Sequence, residues 1–142
     1  MKDFEMSFDI CRKMAEAAEA AQKETGASIS MAIADRYGIL RFYYRFGDAI
    51  IPSVEISQNK AYTAAVLRQT TREFGKIAQV GGSAFGIKVT HPKLVIFGGG
   101  FPLQIKGETV GGLGISGGSV EEDEIIAERA LEAFRQATGQ SS

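Results

Sequence analysis

The fold turns on the stretch Thr109-Val110-Gly111-Gly112-Leu113-Gly114-Ile115-Ser116-Gly117-Gly118-Ser119-Val120-Glu121-Glu122. Thr109 to Ser116 predicts an extended run, and side-chain alternation puts Gly112 and Gly114 on one face of it. Bare backbone at those positions lets a helix or a flat ligand lie close. A helix start follows at once. Ser119 and Glu122 are spaced as a capping box, in which each side chain satisfies the other's free backbone N–H. Ile126, Ala130, Ala133 and Ala137 then recur at helical spacing, reinforced by Ala127 and Phe134. Gly112 to Gly117 also matches G-x-G-x-x-G. A dinucleotide unit needs a further parallel strand and an acidic residue about 20 positions on. The sequence after the match supplies neither, and Glu121, Glu122, Asp123 and Glu124 would repel a pyrophosphate at the helix N-terminus.

Upstream, residues 7 to about 25 read as a helix capped by Ser7 and stopped by Gly26. From Ser28 the period becomes two, predicting a half-buried strand. Asp35-Arg36-Tyr37-Gly38 has turn composition, and Leu40, Phe42, Tyr44 and Phe46 then alternate inward to complete a hairpin. Pro52 opens a second helix running to about Thr71, with an extension toward Gln79 that Gly75 interrupts. Gly81 to Lys93 lacks a period and reads as loop. Three short strands follow, near Leu94–Phe97, Phe101–Lys106 and Thr109–Ser116. Nine of the 17 glycines fall between Gly98 and Gly118, so this segment demands tight turns or close backbone approach. The order α-β-β-α-β-β-β-α with hairpin-length links predicts an α/β (α+β) architecture, a mostly antiparallel sheet flanked by helices, as one domain over residues 1–142. The ending Gln140-Ser141-Ser142 reads as a polar tail.

Composition excludes several classes. With 142 residues, 44% hydrophobic and 23% charged, the chain can bury a core without disulfides. Sixteen basic against 17 acidic residues leave a charge of -1, with no global field toward nucleic acid or anionic membrane. Cys11 is the only cysteine and His91 the only histidine, so no Cys-x-x-Cys clamp or multi-histidine metal site exists within one subunit. Met1-Lys2-Asp3-Phe4-Glu5 lacks a signal-peptide pattern and no run suits a bilayer, so a cytoplasmic location is expected.

The candidate residues follow from these patterns. Gly112 and Gly114, with Ala32, Ala61 and Ala64, describe either a small-residue groove for a planar ligand or close packing of helix on sheet. Lys60 lies beside that surface, where its amine meets a ligand carboxylate or pairs with Asp35 or Glu55. His91, before Pro92 in an extended loop, is the candidate for axial haem ligation or for proton transfer, with Cys11, Met14 and the Tyr43–Tyr44 pair as weaker alternatives. No G-x-S-x-G, H-E-x-x-H or histidine beside a nucleophile is present, so self-contained hydrolytic catalysis is not expected and no catalytic residue is assigned.

The ordered set Ala34-Asp35-x-x-Gly38-x-Leu40, Lys60-Ala61-x-Thr63-Ala64, Gly98-Gly99-Gly100-Phe101-Pro102-Leu103, Gly107, Val110 to Gly118, Asp123-Glu124 and Ala127 resembles the GlcG/HbpS-like family, which includes the C-terminal domain of PduO-type proteins. The resemblance implies a profilin-like α/β domain with a five-stranded antiparallel sheet, assembled into homo-oligomers. It implies haem or another tetrapyrrole as ligand, haem degradation in some members, and a setting in glycolate or coenzyme-B12-dependent diol and glycerol metabolism. Together the motif positions and the residue reading make Lys60, Ala64, Gly99, Pro102, Gly112 and Gly114 the candidate ligand-binding residues. Haem-binding PduO-like members use a first-helix histidine; Cys11 and Met14 stand in that helix here, and Ser57 stands where alanine is usual. A non-catalytic interaction module is a further reading, with Phe4, Met6, Phe8 and Ile50-Ile51 as interface.

Overall fold

A computed structural model describes residues 3–140, so Met1, Lys2, Ser141 and Ser142, in the expected start and tail, lie outside the described residues. Helix α1 spans Phe8–Thr25, with Ser7 Oγ accepting from the Ile10 N–H at 3.2 Å and Gly26 closing it in the left-handed region. Strands β1 (Ser30–Asp35) and β2 (Leu40–Arg45) form the hairpin, followed by α2 (Pro52–Leu67), α3 (Thr71–Ala78), a single-turn α4 (Ile87–Thr90), β3 (Gly100–Ile105), β4 (Glu108–Ser116) and α5 (Val120–Ala137). The sheet is antiparallel in the order β2-β1-β4-β3. The Ser119–Glu122 capping box that opens α5 is formed in both directions.

Four strands are present among the described residues, where five were expected. Leu94–Phe97 pairs with no strand and bends at Phe97. Its Val95 N–H donates to Thr63 Oγ1 on α2 at 3.0 Å, while the Thr63 hydroxyl proton goes to the Asn59 carbonyl of its own helix at 2.7 Å, so a helix side chain supplies one of the hydrogen bonds a neighbouring strand would have given. The second helix ends earlier than its periodicity suggests. Arg68 turns left-handed at φ 58°, and Thr70 caps a separate α3 by accepting from the Glu73 N–H. Gly75 does not interrupt a helix; it lies inside α3, where a Cβ would strike the Ile96 carbonyl. The element order is therefore α-β-β-α-α-α-β-β-α.

Two faces of the sheet are covered by different means. Met31, Ile33, Leu113 and Ile115 pack beneath α1 and α5 against Met14, Ile126, Ala130 and Phe134. The opposite face carries Ala32 and Ala34 against Ala61 and Ala65 of α2. Strand β1 is thus buried on both faces, not half-buried. Its partner β2 is an edge strand. Phe42 pairs with Ile33 but Leu40 with Ala34, so Arg41 bulges out and reaches Asp35 at 3.0 Å. Tyr44 and Leu40, expected inward, are 53% and 45% exposed: Tyr44 borders a shallow cleft beside α1, and the bulge moves Leu40 to the α2 face with Ala34. Phe4 and Met6 turn into the core, while Phe8, Ile50 and Ile51 stay on the surface.

Helix α2 lies on β4 backbone to backbone. A Cβ at Gly112 would collide with the Ala61 carbonyl, and one at Gly114 with the Ser57 carbonyl. Neither obstacle is the free end of a flexible side chain, so the helix itself would have to move. Gly114→Val should destabilise the protein by about 3 kcal/mol or more in urea denaturation, at the upper end of overpacking costs. A neutral substitution would contradict this contact.

Candidate functional site

Lys60, Gly99, Gly112 and Gly114 are brought together, with Ala64 buried on the same helix, and α2 lies directly on β4, so no groove opens at Gly112 and Gly114. The helix fills that space. Lys60 and Asp123 side chains are only 1% and 4% exposed and meet at 3.2 Å. The amine also donates to the Ile115 carbonyl at 2.6 Å, and Asp123 accepts from the Gly118 N–H at 2.9 Å. The Phe97 ring covers the amine at 5.4 Å, and a Cβ at Gly99 would sit 2.5 Å from it. Gly99 thereby lets the 98–100 turn close over the ion pair.

Burial pulls the Lys60 amine below its ordinary pKa and pushes the Asp123 carboxyl above its own, while the charge of each opposes the other's shift. This pair ties α2, the end of β4 and the start of α5 together. Lys60 therefore does not pair with Asp35 or Glu55: Asp35 holds Arg41 and accepts the Tyr37 and Ile39 N–H groups in its own turn. The sequence could not name Asp123 as partner, because 63 residues separate the two. Pro102 sits apart from α2's polar core, on β3 opposite Gly112 and at a cleft of about 320 Å³ with Thr70, Glu128 and Arg135.

His91 lies away from all of these. It follows α4, and its Nε2 is 2.9 Å from Tyr62 Oη, with the two rings edge to face. Tyr62 lines a cleft of about 290 Å³ between α2 and the β1–β2 turn, together with Gly38, Ile39, Leu40, Asn59 and Lys93. The Lys93 ammonium stands 5.1 Å from the centre of the Tyr62 ring. Tyr62 was not among the expected site residues. Its signal was the run Lys60-Ala61-Tyr62-Thr63-Ala64, where an aromatic residue interrupts small ones and so turns to the helix face away from the sheet.

Two of the other donors are withdrawn from any cleft, whereas exposed Tyr44 lines an apolar one with Phe8, Phe42 and Phe46. Cys11 and Met14 are buried in the core, and desolvation raises the Cys11 thiol to about 11. Tyr43 shares a 2.8 Å hydrogen bond with Ser30. Among the described residues no group of three or more His, Cys, Asp or Glu side chains could hold a metal ion, and no helix is long and apolar enough to cross a membrane.

Comparison with known proteins adds the family. The family described as "Haem degrading protein HbpS-like" matches residues 6–132. A 15.0 kDa protein of the dhaT-dhaS intergenic region of Citrobacter freundii is 41% identical over 126 residues, covering 88% of this chain and 89% of that protein. The corrinoid adenosyltransferase PduO of Salmonella typhimurium is 35% identical over 136 residues; the match spans 95% of this chain but only 40% of PduO. The crystal structure of a PduOC–haem complex superimposes with a TM-score of 0.88 at 34% identity, over 92% of this chain and 95% of that one.

Lys60→Met should cost about 3–5 kcal/mol by leaving Asp123 buried without its cation. Adding Asp123→Asn, which keeps an acceptor for the Gly118 N–H, should recover much of that loss in the same denaturation experiment. In the native protein at pH 8, Cys11 should react with a thiolate-specific reagent only as fast as the protein opens, far slower than a free thiol at the same pH.

Proposed function

The chain belongs to the HbpS-like family, and from that premise we propose that it is a haem-binding accessory protein whose iron donor comes from the Tyr62–His91 pair. The observation that carries this reading is the placement of that pair: an oxygen and a nitrogen donor, hydrogen-bonded to each other, beside a cleft whose floor includes Ala34, Ile39 and Leu40. This donor chemistry fits haem, for which both imidazole and phenolate are axial ligand types. The cleft's roughly 290 Å³ is just below the range of about 300–1,000 Å³ for pockets that engulf a ligand. Lys93, Gln58 and Asn59 line the same cleft and would meet the carboxylates of a tetrapyrrole held there.

Haem, once bound, would supply the redox chemistry, and the protein its orientation and access. Haem degradation is a second reading, favoured by the family's description. The glycine-lined positions Gly99, Gly112 and Gly114, with Lys60 and Ala64, act in this proposal by holding α2 and the Tyr62 it carries in place. Pro102 is kept as a contact of the separate β3 cleft. A homo-oligomer is part of the same reading, supported by the exposed Ile50, Ile51, Phe85 and Val89. Service to corrinoid-dependent metabolism is supported by the PduO relative.

Titration of ferric haem into the purified protein should shift the Soret band and saturate at a fixed stoichiometry. An unshifted band overturns the haem reading. Loss of the haem spectrum under reductant or peroxide, faster than for free haem, would mark degradation rather than passive binding.

A further inference from the structure

We propose that the cleft where the β1–β2 turn, the end of α2 and the β3–β4 turn meet binds a small organic phosphate, at a site separate from the Tyr62 cleft and independent of the haem reading. Its volume is about 690 Å³, more than twice that of either cleft described above. Arg36, Arg68 and Lys106 reach it from three different segments, and Glu108 is the one acid on its lining. A chain whose charge sums to -1 thus gathers a local positive excess at one concave place.

The backbone beneath two of those cations is unusual. Among the described residues Arg68 and Lys106 are the only non-glycine residues in the left-handed region, at φ 58° and 52°. Arg68 ends α2 by donating its N–H to the Ala64 carbonyl at 3.0 Å, a place that glycine commonly takes. Ile105 pairs with Glu108, so Lys106 and Gly107 form the whole β3–β4 turn, both with positive φ. Such turns favour Asn-Gly or Asp-Gly. Long cations stand at both positions instead, and both line the same cleft. Backbone held in a sparsely populated region on two sides of one cleft points to a role there that folding does not require.

Neither charge is committed elsewhere: among the described residues the Arg68 and Lys106 side chains take part in no ion pair or hydrogen bond. The partly negative C-terminal end of α2 borders the cleft through Ala65, and the Arg68 charge offsets it. Cations supplied from three segments suit a tetrahedral dianion, to whose oxygens an arginine fork gives two parallel hydrogen bonds. Gln104 and Thr109 add neutral donors from the β3–β4 hairpin. The volume exceeds what a phosphate group alone fills, and Tyr37, 74% exposed, offers a ring face for an organic part.

Isothermal titration of the full chain at low ionic strength with phenyl phosphate, inorganic phosphate and succinate tests the site. Phenyl phosphate should bind saturably and more tightly than inorganic phosphate, and succinate more weakly than either. Arg68→Gly and Lys106→Gly should each weaken phenyl phosphate binding roughly tenfold or more, the worth of one charge-assisted hydrogen bond. Both variants should melt at or above the wild-type temperature, because glycine relieves the left-handed backbone. Tyr37→Ala should weaken phenyl phosphate and leave inorganic phosphate unchanged. Wild-type protein that shows no saturable binding, or affinity unchanged in both glycine variants, overturns the site. Succinate bound as tightly as the phosphates, or inorganic phosphate bound as tightly as phenyl phosphate, overturns the ligand class.

Discussion

Helix α2 rests on β4 with no side chain between the two backbones at Gly112 and Gly114, and the rest of the molecule is arranged around that contact. Most helices cover a sheet with a stripe of large apolar residues. Here α2 meets the sheet through Ser53, Ser57, Ala61 and Ala65, too small to stand the helix off it, while the long Lys60 side chain runs on to Asp123 and the Ile115 carbonyl. The glycines on the strand and the small residues on the helix are two halves of one steric requirement. Large apolar side chains are confined to the other face, under α1 and α5.

So close an approach brings polar groups inside, and each must be satisfied there. Ser53 meets Ser30 at 2.9 Å, Thr63 receives the Val95 N–H, and Lys60 is held by Asp123 and the Ile115 carbonyl. Among the described residues no buried side-chain nitrogen or oxygen lacks a partner. A buried ion pair adds little net stability relative to an apolar pair of the same shape, but it penalises any arrangement that separates its members. Lys60 and Asp123 therefore set how α2 and α5 sit relative to the end of β4.

Because the inner face of α2 is committed to the sheet, its outer face is the part free to vary in chemistry. Tyr62 projects there, between the hairpin turn and the segment that carries His91 and Lys93. Thr63, the next residue, anchors that segment through the Val95 N–H. Tyr62 is thus fixed by the scaffold that the family motifs build, although it is not one of the residues the motif specifies. Cys11 and Met14, in the first helix, point into the core.

Local features were legible in the sequence wherever their cause was local. The caps of α1 and α5 depend on residues three apart, and both are formed as read. The glycines at 112 and 114 announced close approach, and the ordered motifs identified the family. What approached them was not legible, since spacing cannot distinguish a helix from a ligand, and the tertiary structure places α2 there. The Lys60–Asp123 and Tyr62–His91 pairs, 63 and 29 residues apart, join groups that become neighbours only when the chain has folded. The same holds for Leu94–Phe97, which has strand composition but is held by Thr63, Lys88 and the His91 carbonyl. Propensity and periodicity act over a few residues; the partners of a buried charge, a phenol or an extended segment are chosen by packing between elements far apart in sequence.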